Sequence, residues 1–276
     1  MPSYRFCRPD DLTLLVRAIN DCYLLHYPSE PVMTAERLKE HMTVLAVRPG
    51  NCMVALEHQQ PVGVVVSTKR DVGVWIQAIG CQPAVQRQGI AAQLLEALIR
   101  KIAIQRAPEV TVDVPARNSA AVRLFESVGC TVRGRYVSYQ GSLADMIDTV
   151  GVTMVPVPAL LEHYRPWHST AACWERNAAS LAGYGTLPQG YAYAASGVIQ
   201  GYLIHRDDAI LDLALAPDAE PAQVIPALLS RMRIEGYTHA TLAKVPEYDP
   251  IGPALIRLGF LSMGEHVLMG RALRSS

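Results

Sequence analysis

QPAVQRQGIAAQLLEALI, residues 82–99, begins as a polar turn and ends as an apolar helix. Ile90, Leu94, Leu95, Leu98 and Ile102 recur at helical spacing and define one buried face. In front of the turn, DVGVWIQAIGCQP (71–83) reads as a strand stopped by Pro83. A helix start leaves about four backbone N–H groups without partners, and the helix dipole puts partial positive charge there. Gly89 would let a ligand approach the backbone, and Ala91 is small for the same reason. Two readings follow from the turn alone. It is an ordinary strand-to-helix connection, or it is a cradle of N–H groups for an anion, with Arg87 adding a charge-assisted contact.

Working outward, the pattern predicts helices over 10–24, with Leu12, Leu15, Ile19 and Cys22 on one face, and over 34–45 behind Thr34. CMVALEHQQPVGVVVSTKR (52–70) reads as two strands around a His-Gln-Gln-Pro turn. EVTVDVP (109–115) alternates, with Val110, Val112 and Val114 on one face and Thr111 and Asp113 on the other. NSAAVRLFESVGC (118–130) starts at a good N-cap, Asn118, and Gly129 is a natural helix stop. Strands are expected over 131–141 and 147–156. The order α-α-β-β-β-α-β-α-β-β describes a mixed α/β domain around a central sheet.

PVPALLEHYRP (156–166) reads as a join, and a helix-like tract resumes at 168–181. The chain then repeats itself. SGVIQGYLIHRD (196–207) echoes QQPVGVVVSTKRD (59–71), and GPALIRLGF (252–260) echoes SAAVRLFESVGC (119–130). Pro217 matches Pro83, and Leu228–Leu229 match Leu94–Leu95, each pair 134 residues apart. Two divergent copies of one fold are expected, 1–156 and 157–276. At that offset Gly89 becomes Gln223, Ala91 becomes Ile225, Gln86 becomes Glu220 and Arg87 becomes Pro221. Proline removes a donor and the acid would repel a phosphate. The helix survives these changes, so Gly89, Arg87 and Ala91 are not needed merely to build it. That favours an anion site in the first copy, lost in the second.

Half of the 276 residues are hydrophobic, only 18% are charged, and the formal net charge is zero. These values describe a globular chain and give no reason to expect nucleic acid or an anionic membrane as a bulk partner. The six cysteines form no CxxC pair, so neither a zinc cluster nor a redox dithiol is signalled, and reduced thiols are expected. HRDD (205–208) and HSTAACW (168–174) lack metal-ligand spacing. The start, MPSYRFCRPDD, has no apolar leader core, and no run reaches the roughly 18 apolar residues of a membrane span. A soluble cytoplasmic protein is the expectation.

Residues 79–91, IGCQPAVQRQGIA, resemble motif A of the GNAT N-acetyltransferase superfamily, Q/R-x-x-G-x-G/A, with Gln86, Gly89 and Ala91 in its defined places. A second signature, an Asn opening a helix that ends Leu-aromatic-Glu-x-x-Gly, is matched by Asn118 and LFESVG (124–129). The resemblance covers essentially residues 3–155. It implies two tandem acyl-CoA N-acyltransferase-like domains, the second degenerate, with acetyl-CoA as cosubstrate and no metal. The diphosphate would lie on the amides of Arg87, Gln88, Gly89, Ile90, Ala91 and Ala92. The pantetheine arm would run along Ile79, Gly80 and Cys81, and the thioester would sit where that strand and Val112–Val114 splay apart. Asn118 would bond the cofactor arm, beside Phe125. Acetyl would pass directly to an amine, so the Cys81 thiol is not expected to act as a nucleophile.

The match departs from the family at Phe125, where many members carry a tyrosine that protonates the departing thiolate. Tyr136 and Tyr139, on the next strand, are the candidates to replace it. Asp113 stands five residues before Asn118, where relatives that acetylate protein N-termini place a glutamate base. His26, in CYLLHYP (22–28), lies where the family builds its acceptor pocket. The acceptor stays open between a small-molecule amine and a peptide or protein amine. The chain is expected as a monomer with an internal pseudo-dimer, or as a homodimer. The alternative is a non-catalytic acetyl-CoA sensor, which Phe125 keeps open.

Overall fold

The computed structural model describes residues 1–28, 30–167 and 172–273. The chain forms two compact units. The first comprises Met1–Val114, Asn118–Arg133 and the segment from Leu268 on; the second comprises Pro115–Arg117 and Gly134–Val267. The expected join at 156/157 is not a boundary of these units: residues 134–156 belong to the second unit, and the segment from Leu268 on belongs to the first.

In the first unit the elements run β1 (Ser3–Phe6), α1 (Leu12–Cys22), α2 (Ala35–Val44), β2 (Met53–Glu57), β3 (Gln60–Arg70), β4 (Gly73–Cys81), α3 (Ile90–Ile104), β5 (Glu109–Pro115) and α4 (Ser119–Ser127). The strands lie in the order β1-β2-β3-β4-β5, antiparallel up to β4 and parallel between β4 and β5. The β2–β3 hairpin closes through His58 and Gln59, both left-handed (φ 48° and 65°), as a tight two-residue turn requires. Val62, Val64, Val65 and Val66 are all buried, so β3 is covered on both faces. Helix α3 lies close on it: a Cβ at Gly63 would stand 2.8 Å from Ile90 Cγ2. The stripe Ile90, Leu94, Leu95, Leu98 and Ile102 is buried as the spacing predicts.

The segment 268–272 completes this unit as the strand beside β5. Leu273 N–H donates to the Pro108 carbonyl at 2.9 Å, and an Arg271 guanidinium nitrogen donates to the Val128 carbonyl at 2.6 Å. The second contact satisfies a carbonyl at the C-terminus of α4, where cations are favoured.

The second unit repeats the plan. It holds β6 (Thr131–Ser142) from Gly134 on, β7 (Val152–Met154), α5 (Val157–His163), α6 (Ala178–Gly183), β8 (Gln189–Ala195), β9 (Val198–Arg206), β10 (Ala209–Leu215), α7 (Pro221–Ile234), β11 (His239–Pro246), α8 (Ile251–Arg257) and β12 (Leu261–Ala272) up to Val267. Its strand order is β12-β6-β11-β10-β9-β8-β7. Leu228, Leu229 and Met232 occupy the places of Leu94, Leu95 and Leu98 and are fully buried. A bulge interrupts β4 at Gln77 and β10 at Leu211, again 134 residues apart. The expected strand over 147–156 is shorter, Val152–Met154. Of the helix-like tract 168–181, residues 168–171 lie outside the described residues, and the remainder is a turn at Trp174–Arg176 followed by α6.

Candidate functional site

The turn between β4 and α3 is built step by step. Gln82 N–H donates to the Val62 carbonyl at 3.0 Å, and its side chain donates to the Pro61 carbonyl at 2.8 Å, which anchors the strand end. Pro83–Val85 makes one short turn, closed by Val85 N–H to the Gln82 carbonyl at 3.1 Å. The backbone then becomes left-handed at Arg87 (φ 61°) and again at Gly89 (φ 82°). The first bond into α3 is Gln93 N–H to the Gly89 carbonyl at 3.0 Å. Among the described residues, no hydrogen bond takes up the amides of Arg87, Gln88, Gly89, Ile90, Ala91 or Ala92. Left-handed turns that gather free N–H groups at a helix start form an anion-binding nest. A Cβ at Gly89 would meet nothing within 4 Å, so conformation alone calls for glycine there. Arg87 holds the same conformation without that excuse, at a cost of about 1–2 kcal/mol.

The second copy shows what the turn looks like without a nest. Val224 is the counterpart of Ile90, yet α7 begins three residues earlier, at Pro221. Gln223 and Val224 N–H both donate to the Glu220 carbonyl at 3.0 Å, and Pro221 has no N–H. The residues that form the open loop in the first copy are wound into a helical turn in the second.

Beyond the turn, the first unit opens. Strands β4 and β5 pair at Val74–Val110, Trp75–Thr111 and Ile76–Val112 and no further. Past the Gln77 bulge, Ile79, Gly80 and Cys81 pair only with Val65, Val64 and Gly63 of β3 and are half-buried. Their other backbone edge therefore faces a gap able to receive an extended chain by strand addition.

A short segment crosses this gap. A Cβ at Gly80 would stand 2.2 Å from the Cys22 carbonyl oxygen, so the end of α1 presses directly on β4. The chain then makes a turn at Leu24–His26. His26 Nε2 lies 3.0 Å from the Cys81 carbonyl oxygen. The Tyr23 and Tyr27 rings pack at 4.9 Å. On the far side, Asn118 Nδ2 donates to the Tyr27 hydroxyl at 3.4 Å, while Asn118 Oδ1 accepts from Ala121 N–H at 3.1 Å as the N-cap of α4. Sequence reasoning singled out His26 and missed Tyr27, since nothing in a linear pattern joins residue 27 to residue 118.

In the second unit the corresponding gap is filled. Strands β10 and β11 pair only at Ala209–Thr241 and Ile210–Leu242. The buried Arg176 guanidinium donates to the Leu211 carbonyl (3.3 Å) on one strand and to the Ala243 (3.2 Å) and Lys244 (3.4 Å) carbonyls on the other. Asp212 carries the balancing charge, 3.5 Å from Arg176, and accepts from Tyr202 at 2.7 Å.

The remaining candidates fall as follows. Gln86 is exposed at the loop, and its N–H donates to the Pro83 carbonyl at 3.3 Å. Phe125 is buried at 1% exposure and packs in the first unit with no proton to give. Asp113 is half-buried on β5, on the face opposite Val112 and Val114. Burial raises the Cys81 thiol pKa, which disfavours a thiolate there. Tyr136 and Tyr139 belong to the second unit, paired with Pro246 and Leu242 of β11. The Tyr139 hydroxyl packs against Gly252, and burial, with Asp249 and Glu265 nearby, raises its pKa. None of the six cysteines is joined in a disulfide. Among the described residues there is no group of three or more metal-ligating side chains and no helix long and apolar enough to cross a membrane.

Residues 14–130 match the acetyltransferase (GNAT) family. The mycothiol acetyltransferase of Brachybacterium faecium is 25% identical over 132 residues, which is 45% of this chain and 39% of that relative. This chain therefore spans well under half of the relative's length. A GCN5-related N-acetyltransferase from Sphaerobacter thermophilus superposes with a TM-score of 0.73 at 15% identity, covering 100% of this chain and 96% of that one. A tandem GNAT protein from the clavulanic acid biosynthesis pathway gives 0.69 at 13% identity, covering 100% of both chains. Residues 14–130 are therefore a GNAT acetyltransferase domain, set in a chain with the fold of a tandem GNAT protein.

Proposed function

We propose that the protein is an acetyl-CoA-dependent N-acetyltransferase that passes acetyl directly to an amine, with the first unit carrying the site. The observation that carries the proposal is the row of unpaired amides at Arg87–Ala92, set against the closed helix start of the second copy. These amides suit a diphosphate in number, sign and exposure. The edge of Ile79–Cys81 that no strand pairs, where His26 meets the Cys81 carbonyl, suits the pantetheine arm, and the gap past Ile76 and Val112 suits the thioester. Bound there, acetyl-CoA supplies the activated acyl group. The chain's own residues hold the diphosphate, align the arm and keep water out of the gap. Asp113 is assigned as the acceptor of the amine's surplus proton. The acceptor is a small-molecule or peptide amine.

Calorimetry with acetyl-CoA tests the loop, and thiol release with a panel of amines tests the reaction. Gly89→Glu has room for its side chain but places a carboxylate in the nest. We expect it to stay folded and to lose at least about tenfold in acetyl-CoA affinity, a charge-assisted contact exchanged for repulsion. Normal binding by this variant would remove the loop assignment. Phe125 favours one second reading, a sensor that binds acetyl-CoA without turnover; binding without thiol release to any amine would select it.

A further inference from the structure

We infer that Tyr27 is the proton donor to the thiolate that departs during acetyl transfer, an assignment that rests on the cofactor reading above. Position 125, where the signature helix would carry a hydroxyl, is a buried phenylalanine. Tyr136 and Tyr139 are built into the second unit. Tyr27 is the phenol that the first unit brings to Asn118, at the gap between the separated strands.

The hydrogen-bond directions support donation. Only an oxygen can accept from Ala121 N–H, so the cap fixes Asn118 with Oδ1 toward the helix. Its Nδ2 must then donate, and the Tyr27 oxygen must accept. The Tyr27 proton is left uncommitted, since no acceptor for it is found among the described residues. An N–H aimed at the phenol oxygen also stabilises the negative charge left when that proton moves. The ring is held by Tyr23 at 4.9 Å, and the segment is pinned by the close approach of Cys22 to Gly80 and by His26 at the Cys81 carbonyl.

The step balances. The amine lone pair forms the C–N bond, the C–S bond breaks, and its electron pair goes to sulfur. Sulfur takes the Tyr27 proton, the phenolate recovers one from water, and the amine's surplus proton leaves through Asp113 to water.

The test is Tyr27→Phe, which keeps the ring and removes the hydroxyl. Acetyl-CoA affinity by calorimetry should stay within about threefold of the parent, while free CoA, titrated at about pH 9 where its thiol is ionised, should bind about tenfold more weakly for want of a charge-assisted bond. Thiol release from acetyl-CoA, with hydroxylamine as a small nucleophile, should fall about a hundredfold, the lower range for a lost general acid. With S-acetyl-5-thio-2-nitrobenzoate, whose thiolate leaves without a proton, the variant should match the parent. An equal loss on both thioesters, unchanged thiol release, or equal binding of free CoA would overturn the assignment. So would a parent protein that binds acetyl-CoA yet releases no thiol to hydroxylamine. Failure of the parent to bind acetyl-CoA at all would instead remove the cofactor reading, and the Tyr27 role with it.

Discussion

The Cys22 carbonyl oxygen lies 2.2 Å from where a Cβ on residue 80 would stand, and the backbone of Tyr23 is 3.1 Å from the same point. Gly80 is thus the contact through which β4 sets the position of the segment carrying His26 and Tyr27. The obstacle is main chain, which cannot rotate aside as a side chain could.

Gly80→Ala should therefore force α1 away from β4. A cost of about 1–3 kcal/mol is expected, as for overpacking elsewhere. The denaturant midpoint should fall with the slope unchanged, and thiol release should fall with it as the His26 and Tyr27 contacts loosen. A variant of parental stability and rate would show that the segment is not held here.

Asn118 has two separable jobs. Asn118→Asp keeps an oxygen for Ala121 N–H but cannot donate to Tyr27. It should unfold at the parental midpoint and turn over more slowly. Asn118→Ala loses the cap as well, at about 1 kcal/mol. Asn118→Asp indistinguishable from the parent in both assays, with Asn118→Ala alone impaired, would mean that only the cap matters.

Arg176 is buried and holds carbonyls of two strands that no longer pair. Arg176→Met leaves Leu211, Ala243 and Asp212 without it. The expected loss is about 3–5 kcal/mol, the range for a broken buried ion pair. Urea denaturation should show it, and acetyl-CoA affinity, measured where the variant is folded, should not change. Weakened affinity would place a ligand role on Arg176.

His266 gives a pH signature. Burial lowers its pKa from 6.5 to about 4, with Lys244 and Arg117 pushing the same way and Glu175 opposing. The unfolded chain binds this proton near pH 6.5 and the folded chain only near 4, so the contribution is complete above 6.5 and is lost as pH falls toward 4. Stability of the parent should decline across that window more steeply than that of His266→Gln. Identical slopes in urea titrations at several pH values would contradict it.

Much of this was readable from local pattern. The alternation of EVTVDVP became β5 over the same residues, and the 90–102 stripe became the buried face of α3. Asn118 caps α4 through its side chain, and Gly129 is left-handed at the helix stop (φ 82°). These features depend on neighbours within a turn or two, which sequence records directly. What stayed hidden depends on distant packing. Tyr27 meets Asn118 across 91 positions, and Arg176 reaches carbonyls 35, 67 and 68 positions away. Tyr136 and Tyr139 follow the signature helix closely in sequence, yet the chain passes into the other unit at Gly134, before reaching them, a change of unit that no local pattern marks.

The strand at 268–272 has a consequence for how the protein is born. A ribosome that has finished residue 156 has made the nest, the gap and Tyr27, but not the strand that lies beside β5 or the arginine that caps the end of α4. The first unit must wait, with one sheet margin bare, until synthesis reaches the far end of the other copy. Maturation cannot proceed in the order of translation, as it does for independently folding domains; the earlier-made half is the one completed last.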